Sequence, residues 1–108
     1  MLPKSKRLNL KKDFKWVASG KKIESKFTTI FMKTGQNNFP RIGVATSLKY
    51  FNKAVERNRA RRLVFSAMGT LYPDLSENTN IILLPKRVIL DVKSKDVLLD
   101  LGEALTNK

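Results

Sequence analysis

The chain has 108 residues, enough for one domain with a modest core, and its 22 Lys and Arg against nine Asp and Glu leave a formal net charge of +13. It contains no histidine and no cysteine. That composition excludes Ser–His and Cys–His nucleophile systems, metal-bound water held by His, thiolate metal sites and a disulfide framework.

No internal repeat or low-complexity linker divides the sequence, so residues 1–108 read as a single domain. Residues 1–8 read as an extended basic segment, because Pro3 lacks a donor and no helical period is present. Asn9 suits the N-cap of a short helix running to about Ser19 and stopped by Gly20, with Leu10, Phe14 and Val17 on one face. The β-branched and aromatic run 27–33 predicts a strand, with Thr28 and Ile30 on one side and Phe27, Thr29 and Phe31 on the other. Turn chemistry at Gly35-Gln36-Asn37-Asn38 leads into a second strand over 41–46, antiparallel to the first. A long helix is expected from near Lys53 to Gly69 or Leu71, its buried stripe being Ala60, Leu63, Val64, Ala67 and Leu71. After a loop from Pro73 to Asn80, Ile81-Ile82-Leu83-Leu84 predicts a central strand buried on both faces. Val88-Ile89-Leu90 either extends that strand or adds another. Ser94 is placed to cap a last helix whose apolar face is Val97, Leu98, Leu101 and Leu105. The order α-β-β-α-β-α describes a small α+β sandwich with a three- or four-stranded sheet.

The charge is concentrated. Residues 1–62 carry 17 basic and 3 acidic side chains, whereas residues 63–108 carry 5 and 6. Within the long helix, Lys53, Arg57, Arg59, Arg61 and Arg62 surround Asn58, and only Glu56 interrupts them. At 100° per residue Asn58, Arg61, Arg62 and Phe65 project away from the buried stripe, with Arg57 and Arg59 on the flanks. Glu56 is expected to pair with the neighbouring arginines. A one-sided positive face suits folded RNA or DNA. A membrane fits less well, since no apolar run approaches the roughly 20 residues of a spanning helix, and the N-terminus shows no secretory hydrophobic segment. The lack of cysteine fits a reducing cytoplasm.

Arg41-Ile42-Gly43-Val44-Ala45-Thr46-Ser47-Leu48-Lys49, followed after a short turn by Ala54-Val55-Glu56-Arg57-Asn58-Arg59-Ala60-Arg61-Arg62-Leu63, resembles the signature of the bacterial ribonuclease P protein component. That pattern is a strand ending in Gly-x-x-x-Ser-Lys-Lys, then Ala-Val-x-Arg-Asn-Arg-x-(Lys/Arg)-Arg on a helix. Leu2-Pro3-Lys4, Arg7-Leu8, Asp13-Phe14, Val17 and Gly20, with the strand Ile81-Ile82-Leu83, extend the likeness over nearly the whole chain. The resemblance implies a protein subunit of a ribozyme that cuts precursor tRNA to give the mature 5′ end. The active site and its Mg2+ would belong to the RNA subunit, so that no side chain here is catalytic and none binds a metal. It implies RNA binding by Lys49, Lys53, Arg57, Asn58, Arg59, Arg61 and Arg62, and a cleft for the 5′ leader formed by Phe14, Lys15, Thr28 and Ile30. It further implies a β-α-β crossover of left-handed sense, against the usual rule, and a protein that is monomeric within a cytoplasmic ribonucleoprotein.

Some positions depart from the pattern. Leu48 stands where a second lysine is usual, and Phe65 where arginine is common. The turn Tyr50-Phe51-Asn52 is one residue longer than the commonest form, and Ala18 and Ile30 lie near positions where rings are expected. Trp16, off the apolar line of its helix, is a partly exposed ring or a stacking platform. Charge alone would equally allow a ribosomal or assembly protein, while a DNA-binding module is disfavoured by the missing helix-turn-helix spacing.

Overall fold

The computed structural model describes residues 6–106, so the first five residues of the basic N-terminal segment lie outside the described residues. The Asn9 side chain accepts from Lys12 N at 3.4 Å and opens helix α1, Leu10–Ala18. Gly20 ends the turn that follows, and there only a hydrogen fits: a Cβ would collide with the Met32 carbonyl oxygen. Strand β1, Lys21–Glu24, then pairs antiparallel with β2, Thr28–Thr34. The turn between them is tied down by Asp100, whose two oxygens accept from Lys26 N and Phe27 N at 3.0 and 3.1 Å. Strand β3 is Arg41–Val44, helix α2 is Ala54–Leu71, strand β4 is Thr79–Pro85 and helix α3 is Ser94–Thr106. Short 3-10 helices cover Tyr72–Asp74 and Arg87–Asp91.

The α+β class is as read from the sequence, with one strand more: the order is α-β-β-β-α-β-α and the sheet runs β1-β2-β4-β3. β4 lies between β2, to which it is antiparallel, and β3, to which it is parallel. β3 thus runs antiparallel to β2, as read from the sequence, but the two strands are not neighbours. The crossover through α2 returns the chain to the gap between them, and the apolar run Ile81–Leu84 takes the central place that burial on both faces demands. Val88-Ile89-Leu90 neither extends β4 nor adds a strand but belongs to the second 3-10 helix, with Ile89 buried. At α3 the first helical hydrogen bonds run to Lys93 O, and Asp96 accepts from Lys93 N at 3.0 Å, so Ser94 is already inside the helix rather than its cap.

Strand alternation divides the sheet into two unlike faces. Ile23, Ile30, Leu83 and Val44 lie opposite one another across the four strands and face α2 and α3, forming the main core with Val64, Met68, Val97 and Leu101. The neighbouring row, Lys22, Phe31, Ile82 and Gly43, points the other way. There Leu8 and Val17 bury Ile82, with Leu10, Phe14, Phe31 and Leu84 packed around them. Gly43 makes this approach possible: a Cβ would come within 2.8 Å of Leu10 Cδ2 and 3.2 Å of Leu8 Cβ. The N-terminal segment also joins the sheet edge, as Leu8 N donates to Ile42 O at 2.9 Å and Arg7 bridges to Ile42. Since α1 covers only part of this face, the remainder stays open as a cleft.

Candidate nucleic-acid interface

The cationic ridge is built on the turn before α2. Phe51 is fully buried in the main core, and its N–H donates to Ser47 O at 2.9 Å. The extra residue of this turn thus fixes the backbone instead of loosening it. Arg57 reaches back from the helix, its Nη1 donating to Phe51 O at 2.9 Å, and is only half exposed. Arg61 Nη2 donates to Asn58 Oδ1 at 2.6 Å one turn away, so Asn58 orients that guanidinium. Lys49, Lys53, Arg59 and Arg62 are exposed. Glu56 does not pair with the ridge arginines. Its carboxylate accepts from Arg87 Nη1 at 2.8 Å, and the same nitrogen donates to Tyr50 O at 2.9 Å. That bond holds the Glu56 carboxyl below its ordinary range and the Arg87 guanidinium above its own. The one acid in the ridge is thereby neutralised by a residue outside it, leaving the arginines available to phosphates.

Phe65 does not project into solvent. It is buried in the main core, and the Arg7 guanidinium lies 5.0 Å from the centre of its ring. Arg7, Val55, Asn58, Arg61, Arg62 and Phe65 line one groove of about 490 Å³. The charge missing at position 65 is thus restored in the same groove by Arg7, a residue that helix phase alone does not bring to the ridge. The signal was present only as Arg7-Leu8 within the family-like N-terminal string. Leu48 remains an apolar side chain on the surface, 70% exposed.

The second feature is the cleft on the open face of the sheet, about 560 Å³ in volume. Phe31, Thr29, Leu84 and Ala45 form its floor; Lys22, Glu24, Tyr50, Lys86 and Arg87 stand at its sides. Phe14 is partly buried against the same Leu8, Val17 and Ile82 cluster as Phe31 and Leu84 but is not among the residues lining the cleft, and Lys15 is exposed on α1. Thr28 and Ile30 are corrected by the structure: both are 0% exposed and turned toward the helical layer, so neither can line a cleft. The adjacent residues Thr29 and Phe31 occupy the open face, and Phe31 supplies the ring that Ile30 lacks. Glu24 is engaged on two sides, accepting from Thr29 Oγ1 at 2.6 Å and facing Lys86 Nζ at 3.1 Å. The Thr29 hydroxyl first and Lys86 second hold its carboxyl below the ordinary value. Trp16, 41% exposed, lies at the far end of β2 with Lys33 Nζ 5.3 Å from its ring centre.

The two features are complementary in chemistry. A ridge of guanidinium groups can span phosphate oxygens or a phosphate and a base edge. A cleft with an apolar, ring-bearing floor and cationic sides fits an unpaired strand, whose bases stack while its backbone is held electrostatically. Among the described residues no three Asp or Glu converge as they would around a metal ion, and no helix is long and apolar enough to cross a membrane.

A family model described as Ribonuclease P matches residues 2–108. A ribonuclease P protein component of Blochmanniella pennsylvanica is 31% identical over 98 residues, covering 90% of this chain and 78% of that protein. Another from Nitrosococcus oceani is 42% identical over 53 residues, 48% of this chain and 44% of that relative's length. The RNase P protein of Thermotoga maritima superposes with a TM-score of 0.83 at 20% sequence identity, over 94% of this chain and 96% of that one, a likeness of fold. The chain belongs to the ribonuclease P protein family.

Proposed function

We propose that this chain is the protein subunit of a bacterial ribonuclease P. Its α2 ridge (Lys49, Lys53, Arg57, Asn58, Arg59, Arg61 and Arg62, joined by Arg7) neutralises phosphates of the catalytic RNA. Its cleft receives the single-stranded 5′ leader of precursor tRNA, and the RNA performs the cut that yields the mature 5′ end. The observation that carries this reading is the adjacency of two unlike surfaces: a cationic helix and a ring-floored cleft share the rigid turn 47–51. A protein that only coated RNA would need the first and not the second. In this reading the chemistry falls to the RNA, as the family resemblance implies, and no side chain of this chain is assigned to bond cleavage. We assign the Mg2+ of the reaction to the RNA subunit, as the family resemblance implies. We place the protein as one copy per ribonucleoprotein in the cytoplasm, where precursor tRNA is processed.

Reconstitution tests this directly. The purified protein is mixed with a bacterial ribonuclease P RNA and a precursor tRNA at low magnesium, and leader release is followed. Faster cleavage is expected, lost on joint neutralisation of Arg57, Arg59 and Arg61. No stimulation, or stimulation indifferent to leader length, would favour a structural RNA-binding protein instead.

A further inference from the structure

Tyr50 has no structural reason to be a large ring. Its side chain is 50% exposed, while the adjacent Phe51 does the anchoring at 0%. Yet the backbone beneath Tyr50 is fixed from several directions: its N–H donates to Ser47 O at 3.2 Å, its carbonyl accepts from Arg87, and Arg57 holds the next carbonyl. A ring on a rigid backbone loses little freedom when a ligand lands on it. Tyr50 also lines the cleft together with Phe31 and Leu84, on the turn that leads into α2. Lys49 Nζ lies 6.0 Å from the ring centre and Lys22 lines the same cleft, so cations for a sugar–phosphate backbone flank it. Glu24, which lines the same cleft, already faces Lys86, and Glu56 faces Arg87.

We propose that Tyr50 is the base-stacking ring at the mouth of the cleft and a determinant of affinity for single-stranded RNA, stacking on the leader nucleotide that passes between cleft and ridge. This rests on the reading of the cleft as the leader site. The proposal assigns the interaction to the aromatic face, on which a base of any identity stacks, and not to the hydroxyl.

The test measures binding of precursor tRNA to the reconstituted holoenzyme, with a long leader and with a single-nucleotide leader, for wild type, Tyr50→Ala and Tyr50→Phe. Tyr50→Ala is expected to weaken the long-leader substrate by about tenfold, the scale of one lost base stack. It should leave the single-nucleotide leader unchanged, and Tyr50→Phe should behave as wild type. An unaltered urea midpoint for Tyr50→Ala would exclude unfolding as the cause. If wild type discriminates leader length and Tyr50→Ala does so equally, the proposal fails while the cleft reading stands. Equal loss on both substrates would also overturn it, since Tyr50 would then act on the catalytic RNA or the fold. If wild type itself ignores leader length, both readings fall.

Discussion

Arg57 and Arg59 are two residues apart in one motif, but the structure gives them different duties. Arg57 spends a hydrogen bond on Phe51 O and is half covered, whereas Arg59 is exposed. Arg59→Ala should therefore lower RNA affinity and reduce the slope of log affinity on log salt by about 0.7–0.9, with no change in the urea midpoint. Arg57→Ala should lower affinity and also destabilise the free protein by about 1 kcal/mol, as a partly screened, charge-assisted bond is lost. Equilibrium unfolding of both variants separates the two duties. Ile30 provides the contrasting case. Its full burial predicts a loss of about 2–5 kcal/mol on Ile30→Ala, the ordinary result of emptying a packed site, as measured by urea denaturation. A leader-binding role at the surface would instead have left stability intact.

Single residues were legible in proportion to how much their own element decided. The arginine string, the N-cap Asn9 and the doubly buried run Ile81–Leu84 could be read directly, because helix period, capping and continuous hydrophobicity are local signals. The choice between Thr28/Ile30 and Thr29/Phe31 could not. Alternation separates two faces of a strand, but only the position of α2 and α3 decides which is covered. Phe65 shows the same limit: helical phase put it opposite the main stripe, where Arg7 of the N-terminal segment lies over its ring.

At the scale of elements, β1 was hidden because Lys21-Lys22-Ile23-Glu24 has one apolar residue. It is an edge strand whose pairing is supplied by β2 and whose charges keep the edge soluble. β2 and β3 run antiparallel as read but do not pair, for the opposite reason. A plausible local turn was overridden by the crossover that inserts β4. The junction of α1 with the sheet depends on Gly20, and Gly20→Ala should destabilise by about 1–3 kcal/mol through overpacking against the Met32 carbonyl, read as a lowered thermal midpoint. The clamp between the second 3-10 helix and α2 carries a pH signature. Because the hydrogen bond from Arg87 lowers the Glu56 carboxyl below the ordinary carboxylate value, its contribution is present above that ordinary value and is lost as pH falls through the depressed folded value. Glu56→Gln should make the acid-side fall in stability shallower, measured by urea midpoints across the carboxylate range.

For the whole molecule, the distribution of charge and the shape of the sheet make a single argument. The N-terminal segment and α2 place cations on one groove, while the partial cover of α1 leaves a second cleft, to which the turn 47–51 contributes Ser47 and Tyr50. Under the proposed function, this arrangement separates gripping a folded RNA from guiding an unpaired strand, with the turn before α2 between them. Tethered hydroxyl-radical cleavage on the reconstituted particle tests that separation most directly, with one probe at position 59 and one at position 22, bound to substrate. Cuts in the catalytic RNA from position 59 and in the 5′ leader from position 22 are the expected result; cuts in the leader from position 59, with the catalytic RNA untouched, would contradict it.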